Sequence, residues 1–312
     1  MKILWVAGHR ARDPPDPIPN SEVKPCSVSG VSAVFGCVKP GKLAIHLRDF
    51  SEGSVVITVG RPNPEDHIRI NRKHWDAVAV KNWPSKKAVL PEIARDPDSF
   101  LKRVEPHLFP RLKEIKGSRV IVLQFGDAHV MRACAMKGAE VTGVDFSSEQ
   151  VRLAREAAEF CRVNLKLVKA DCQNLPESIP ESYFDLAVGE CGIFAWIADL
   201  DSWMRNSHRA LKSGAKLIVQ DFHPISVAAK DFRAKVEDGI VAFRKSYLDQ
   251  SAEVRHSEPD LPPAVEFTWK ISDIINASIR AGFQIDHLEE FYDGPGESLS
   301  LIPNYFFLIA TK

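Results

Sequence analysis

The sequence predicts an α/β protein built on a doubly wound, mostly parallel seven-stranded sheet that follows an N-terminal appendage. Three observations carry this prediction. Five apolar runs of strand length, at residues 118–123, 140–144, 164–169, 184–188 and 215–221, alternate with helical or loop segments. Strands and helices in alternation pack as a parallel sheet covered on both faces. Two more apolar runs, at 284–288 and 305–310, follow a helical pattern over 272–281 that Gly282 stops, and they would close the sheet with an antiparallel edge. Residues 1–65, rich in proline and glycine, differ from all that follows, and the cluster Pro14-Pro15-Asp16-Pro17 cannot be helix interior.

Within the appendage, runs at 42–47 and 54–59 are rich in strand-forming residues and flank 49–53, the pattern of a hairpin. A packing flap or a dimerisation arm is the expected role. From 64 to 116 the period turns helical, with Trp75, Val78, Ala79 and Trp83, then Phe100, Val104, Leu108 and Leu112, three or four residues apart. The main domain is expected over 66–312, with an insertion at about 225–263 as a substrate lid.

Composition narrows the class. A hydrophobic share of 45% and a charged share of 26% match soluble globular domains and exclude a disordered chain. Lys+Arg and Asp+Glu balance at 41 each, so no global field gathers nucleic acid or an acidic membrane surface. No apolar run reaches the ~18 residues that span a bilayer, and the apolar start, Met1 to Ala7, is broken by Gly8, His9 and Arg10, too soon for a signal peptide. The cysteines, Cys26, Cys37, Cys134, Cys161, Cys172 and Cys191, form no C-x-x-C pair. A reduced, cytoplasmic protein is expected, with no metal, no nucleic-acid or membrane partner, and a monomeric or homodimeric state.

In doubly wound sheets the ligand sits outside the carboxyl ends of the strands, where strand order reverses, so the residues after each run are the candidates. After the first come Gln124, Phe125, Gly126, Asp127, Ala128 and His129; a glycine there lets backbone approach a ligand with no Cβ in the way. After the second comes Asp145, 19 residues beyond Gly126, close to the ~20 that separate a nucleotide-binding turn from the acid on the ribose hydroxyls. A carboxylate suits that task because it only accepts and can take both hydroxyl protons. Ser147, followed by Glu149 and Gln150, is available as the next helix cap, which leaves Asp145 free for a ligand. After the third run comes Asp171-Cys172, where the carboxylate can accept from an exocyclic amine. The fourth is followed by Gly189-Glu190-Cys191-Gly192 and the fifth by Asp221-Phe222-His223-Pro224. His129 reads as a packing or capping residue, and Trp196 and Trp203 as core.

The stretch 140–147, with Glu140-Val141-Thr142-Gly143-Val144-Asp145-Phe146-Ser147, is similar to the second-strand motif of the class I S-adenosylmethionine-dependent methyltransferases. Residues 184–188 and 210–215 resemble the entries to that family's fourth and fifth strands, and residues 122–128 match its first turn with Gly126 as the surviving central glycine. Leu123-Gln124 and Phe222-His223-Pro224 resemble a bacterial subgroup. The resemblance covers roughly residues 66–312 and implies a Rossmann-like methyltransferase fold with S-adenosylmethionine as cofactor. By resemblance, Asp145 binds ribose, Asp171 reads adenine and the backbone around Gly126 faces the methionine part. The cofactor set is then Gln124, Gly126, Ala128, Asp145, Phe146, Asp171, Cys172 and Gly189, with Gln124 turning its side chain away.

The expected reaction is methyl transfer to an oxygen, nitrogen or carbon nucleophile of a small molecule, with Glu190 and His223 as candidate bases. A degenerate fold that binds the cofactor as a regulatory or scaffold module is a second expectation. A nicotinamide-dependent oxidoreductase is a third; it calls for Gly-x-Gly-x-x-Gly at the helix start, and Gly126-Asp127-Ala128-His129 lacks that spacing.

Overall fold

The computed structural model describes residues 45–48, 56–59, 64–229, 241–256, 258–292 and 301–312. The proline cluster and the appendage other than 45–48, 56–59 and 64–65 lie outside these residues, as does part of the expected lid. Two short strands, β1 (Ile45–Arg48) and β2 (Val56–Val59), pair antiparallel with Ile45 opposite Val59. A long helix, α1 (Pro64–Ala88), leads into α2 (Leu90–Arg95) and α3 (Pro97–Val104), and α2 and α3 each carry a proline in the first turn, where its missing N–H costs nothing. Asp96 ends α2 and caps α3, accepting from Ser99 N at 3.0 Å.

The large sheet then forms from β3 (Arg119–Leu123), β4 (Glu140–Asp145), β5 (Leu165–Lys169), β6 (Phe184–Glu190) and β7 (Leu211–Phe222). Helices α4 (His129–Met136), α5 (Ser148–Cys161) and α6 (Leu200–Ala210) connect them, and α7 (Pro224–Ala228) follows β7. Ser147 caps α5 as expected, accepting from Gln150 N at 3.1 Å. Two small strands, β8 (Ala252–Arg255) and β9 (Ala264–Glu266), precede α8 (Ile271–Arg280), and β10 (Gln284–Phe291) and β11 (Tyr305–Thr311) end the chain.

Strand order in the large sheet is β10-β11-β7-β6-β3-β4-β5, with β3 to β7 parallel and β11 antiparallel to both neighbours. This is the seven-stranded, doubly wound sheet predicted from the sequence. Order reverses at β3, which pairs with β4 on one side and β6 on the other, so the crevice opens above the ends of these three strands. The continuous apolar run in β3 follows from burial on both faces. Ile121 and Leu123 pack with Trp203, Met204 and Ile274 under α6 and α8. Val120 and Val122 point the other way, against Val130, Met131 and Ala154 of α4 and α5.

A second sheet, β1-β2-β8-β9, joins the early hairpin to strands from the C-terminal half. Its edge is tied to α1 by one side chain. Asn71 donates to Val265 O at 2.9 Å and accepts from Val265 N at 2.7 Å, which satisfies both backbone groups of a buried strand residue.

Candidate active site

The turn after β3 sets the site. Gln124, Gly126 and Ala128 all adopt left-handed backbone, with φ of 54°, 49° and 61°, and this alternation swings the chain from strand into α4. Glycine takes such angles freely, whereas a residue with a Cβ is strained by about 1–2 kcal/mol. Gln124 offsets part of that strain with its side chain, which accepts from Trp203 Nε1 at 2.9 Å and donates to Ile193 O at 3.3 Å. The side chain thus turns into the layer beneath α6, leaving the backbone of the turn to face the crevice. A Cβ at Gly126 would meet no atom within 4 Å. Such a cradle fits a ligand that needs close backbone approach.

Asp145, at the end of β4, bridges this turn to α5. It accepts from Gly126 N at 3.3 Å and from Ser147 N at 2.8 Å. Burial pushes its carboxyl up to about 7 against the pull of these N–H groups.

Two cavities flank the turn. One, of about 300 Å³, lies between α1 and the turn; Trp75, Trp83, Gln124, Gly126, His129 and Glu190 are among its walls. The other is a narrow cleft on the far side of Gln124, where Phe146, Asp171, Cys172 and Trp196 come together. Trp75 and Trp196 meet edge to face at 5.2 Å, one from each cavity. Asp171 accepts from Gln173 N at 2.9 Å and from its side-chain Nε2 at 3.2 Å. Gln173 in turn accepts from Ala198 N and Asp199 N, tying this cleft to the segment after β6.

Of the residues expected from sequence, Gln124, Gly126, Phe146, Asp171, Cys172 and Glu190 therefore line one cavity or the other. Ala128, Asp145 and Gly189 are buried around them. Gly189 serves packing, since a Cβ there would come within 2.5 Å of Ile193 Cδ1. Trp196, expected in the core, is half-buried and walls the cleft.

His223 needs a correction. It lies on neither cavity: its Nδ1 accepts from Ile225 N at 3.1 Å as the cap of α7, and its Nε2 lies 2.5 Å from Glu290. Burial lowers its pKa, with Glu290 opposing. The reason is register. Glu190 pairs with Gln220, so His223 stands three residues further along the chain, one past the end of β7, where its N–H donates to Asn304 O and the chain turns toward the β10–β11 edge. The acid two residues earlier, Asp221, holds the site loop instead. It accepts from the backbone N–H of Gly192, Ile193 and Phe194, at 2.5, 3.0 and 2.9 Å.

Beside Glu190 the fold assembles a buried charge cluster. His129, the first residue of α4, lies 2.5 Å from Asp127 through Nδ1, and 3.1 Å from Glu105 and 3.4 Å from Glu190 through Nε2. Lys86 of α1 pairs with the other oxygen of Asp127 at 2.6 Å, and Gln220 donates to the other oxygen of Glu105 at 2.8 Å. Burial, reinforced by Glu105 and Asp127 and opposed by His129, pushes Glu190 up to about 8. Burial would depress His129, but the charges of Glu190 and Asp127 outweigh it and hold its pKa well above the usual range. Asp127 stays well below the carboxylate range despite its burial, because His129 and Lys86 stabilise its charge. Sequence reading missed Glu105, which no motif marks, and took His129 for a packing residue. Its place three residues after Gly126 at a helix start was the available signal.

Residues 123–219 match the family model described as a methyltransferase domain. With the sheet order above, this segment resembles the core of the class I S-adenosylmethionine-dependent methyltransferases. The chain is similar to a sterol 4-C-methyltransferase of Caenorhabditis elegans, 30% identical over 128 residues, covering 40% of this chain and 37% of that protein. It is also similar to a demethylmenaquinone methyltransferase of Thermus thermophilus, 32% identical over 99 residues, covering 32% of this chain and 44% of that protein. The matches thus span less than half the length of these two relatives. Among solved structures, an S-adenosylmethionine-dependent methyltransferase from Mesorhizobium loti aligns with a TM-score of 0.53 at 24% identity, over 66% of this chain and 97% of that one. This likeness is one of fold.

Proposed function

We propose that the protein transfers a methyl group from S-adenosylmethionine to an oxygen, nitrogen or carbon nucleophile of a small, largely apolar molecule. The observation that carries this reading is the turn Gln124–Ala128. The side chain of Gln124 turns inward, and the open face at Gly126 lies between a cleft holding Phe146 and Asp171 and a cavity holding Glu190. Asp145 would take the ribose hydroxyls, Asp171 and Phe146 the adenine, and the backbone at Gly126 the amino-acid end.

The bound cofactor supplies an activated methyl on a sulfonium. The chain's own contribution is alignment and exclusion of water, which can supply about 7–11 kcal/mol. Trp75, Val78, Ala79, Trp83, Leu153 and Ala154 give the cavity apolar walls, and Lys86, Asp127, His129 and Glu190 give it a charged end. This suits an apolar acceptor with a single polar reacting group, in keeping with the sterol and quinone names of the relatives. Glu190, in the ionised form that its raised pKa favours only at alkaline pH, is placed to take the proton that such a group loses. Helix α1 would cover the acceptor.

Calorimetric titration with S-adenosylmethionine, S-adenosylhomocysteine and NAD tests the reading. One site for each of the first two and none for NAD is expected. Failure of both to bind defeats it, and binding without turnover on sterols or hydroquinones would favour a cofactor-binding scaffold.

A further inference from the structure

The geometry points to a divalent cation site formed by Glu105, His129 and Glu190 at the floor of the larger cavity. One donor atom from each lies within 4.8 Å of the other two. The separations from His129 Nε2, 3.1 Å to Glu105 and 3.4 Å to Glu190, lie within about 0.2 Å of the ~3.3–3.6 Å edges of a tetrahedron whose ligands stand ~2.0–2.2 Å from a metal. Glu190 is 6% exposed, and its Oε2 accepts no hydrogen bond among the described residues. The same holds for Oε1 of Gln220, its partner across the strand pair. Leaving such oxygens bare in the interior is costly, and a cation would satisfy the carboxylate.

The surroundings fit as well. Asp127 lies against Nδ1 of His129 at 2.5 Å, the carboxylate–histidine pairing that fixes the tautomer and leaves Nε2 free for a metal. Lys86 neutralises the second oxygen of Asp127, so Asp127 positions the imidazole. Arg132, also in this region, directs Nη1 to the carbonyl of Asp127 at 2.7 Å. Three protein ligands leave a fourth position, and His129 and Glu190 both line the cavity, the pattern of a site that coordinates a substrate oxygen. Sequence reading expected no metal because the three residues lie on separate elements, 24 and 61 positions apart in succession.

An ion there would draw an acceptor oxygen to the donor and acidify it, a role that rests on the methyl-transfer reading. Ion binding does not depend on that reading and is measured without cofactor or acceptor. Full-length protein stripped with a chelator is titrated calorimetrically with ZnCl₂ and with MnCl₂ at pH 7.5. One ion per chain with micromolar or tighter affinity is expected for at least one metal. Glu190→Gln and His129→Gln should each weaken it tenfold or more, and Asp127→Asn about 10–100-fold, while the surface change Glu156→Gln leaves it unchanged. Circular dichroism reports folding, and Glu105→Gln replaces any variant that fails to fold. No binding of either metal up to millimolar concentration, or affinity unaltered by these carboxylate and histidine changes, overturns the proposal.

Discussion

Replacing Glu190 by glutamine should stabilise the metal-free protein at alkaline pH and leave its stability at pH 5 nearly unchanged. The side chain is almost fully buried, and burial raises its carboxyl from 4.5 to about 8. A group whose pKa is raised on folding gives stability that is complete below its unfolded pKa and is lost as pH climbs through the folded value. Complete ionisation of Glu190 therefore costs about 5 kcal/mol, at about 1.4 kcal/mol per factor of ten. Coupling to His129 spreads that cost over both groups, so the single substitution should recover about 2–4 kcal/mol. For a domain of this size the gain is roughly 5–15 °C in Tm. Thermal unfolding of both proteins, followed by circular dichroism in EDTA from pH 5 to 9, provides the assay. The curves should lie close together near pH 5, diverge progressively up to about pH 8 and run parallel above it, with the variant more stable. Parallel curves across the range would refute the assignment of a buried, proton-holding carboxyl.

Three further outcomes can be checked. Asp145→Asn should weaken S-adenosylmethionine binding tenfold or more in calorimetry, since hydrogen bonds to a charged group contribute about 1.5–3 kcal/mol; equal affinity would remove Asp145 from the site. Asn71→Ala strips both partners from the backbone of Val265 and should cost about 2 kcal/mol in urea unfolding, with faster amide exchange in β9. Gly143→Ala would set a Cβ 2.1 Å from Met131 Sδ and 2.8 Å from Phe125; such overpacking should cost about 1–3 kcal/mol, seen as a lower urea midpoint.

The sheet was legible in the sequence because its signal is local. Strands β3, β4 and β6 are apolar enough to be buried on both faces, β5 at the edge alternates apolar residues with lysines, and the runs at 118–123, 140–144, 164–169 and 184–188 coincide with the observed strands to within two residues. Helix α8, read as 272–281, spans Ile271–Arg280 for the same reason, an apolar period ended by Gly282. The end of each parallel strand faces the crevice by topology, so Gly126, Asp171 and Glu190 could be named as wall residues from their places in the chain.

Tertiary structure decided which of these residues act together. His223 and Glu190 both follow strands, yet the longer β7 and its antiparallel partner β11 carry His223 away, a matter of register that local pattern does not encode. Glu105 reaches Glu190 and His129 only because the loop after α3 folds against the far end of β7, where Gln220 holds it. Likewise the roof of the cavity comes from α1, before the sheet begins. Periodicity reports which face of an element is buried, whereas the convergence of charges from separate elements depends on how those elements stack, and that is fixed by packing over the whole domain.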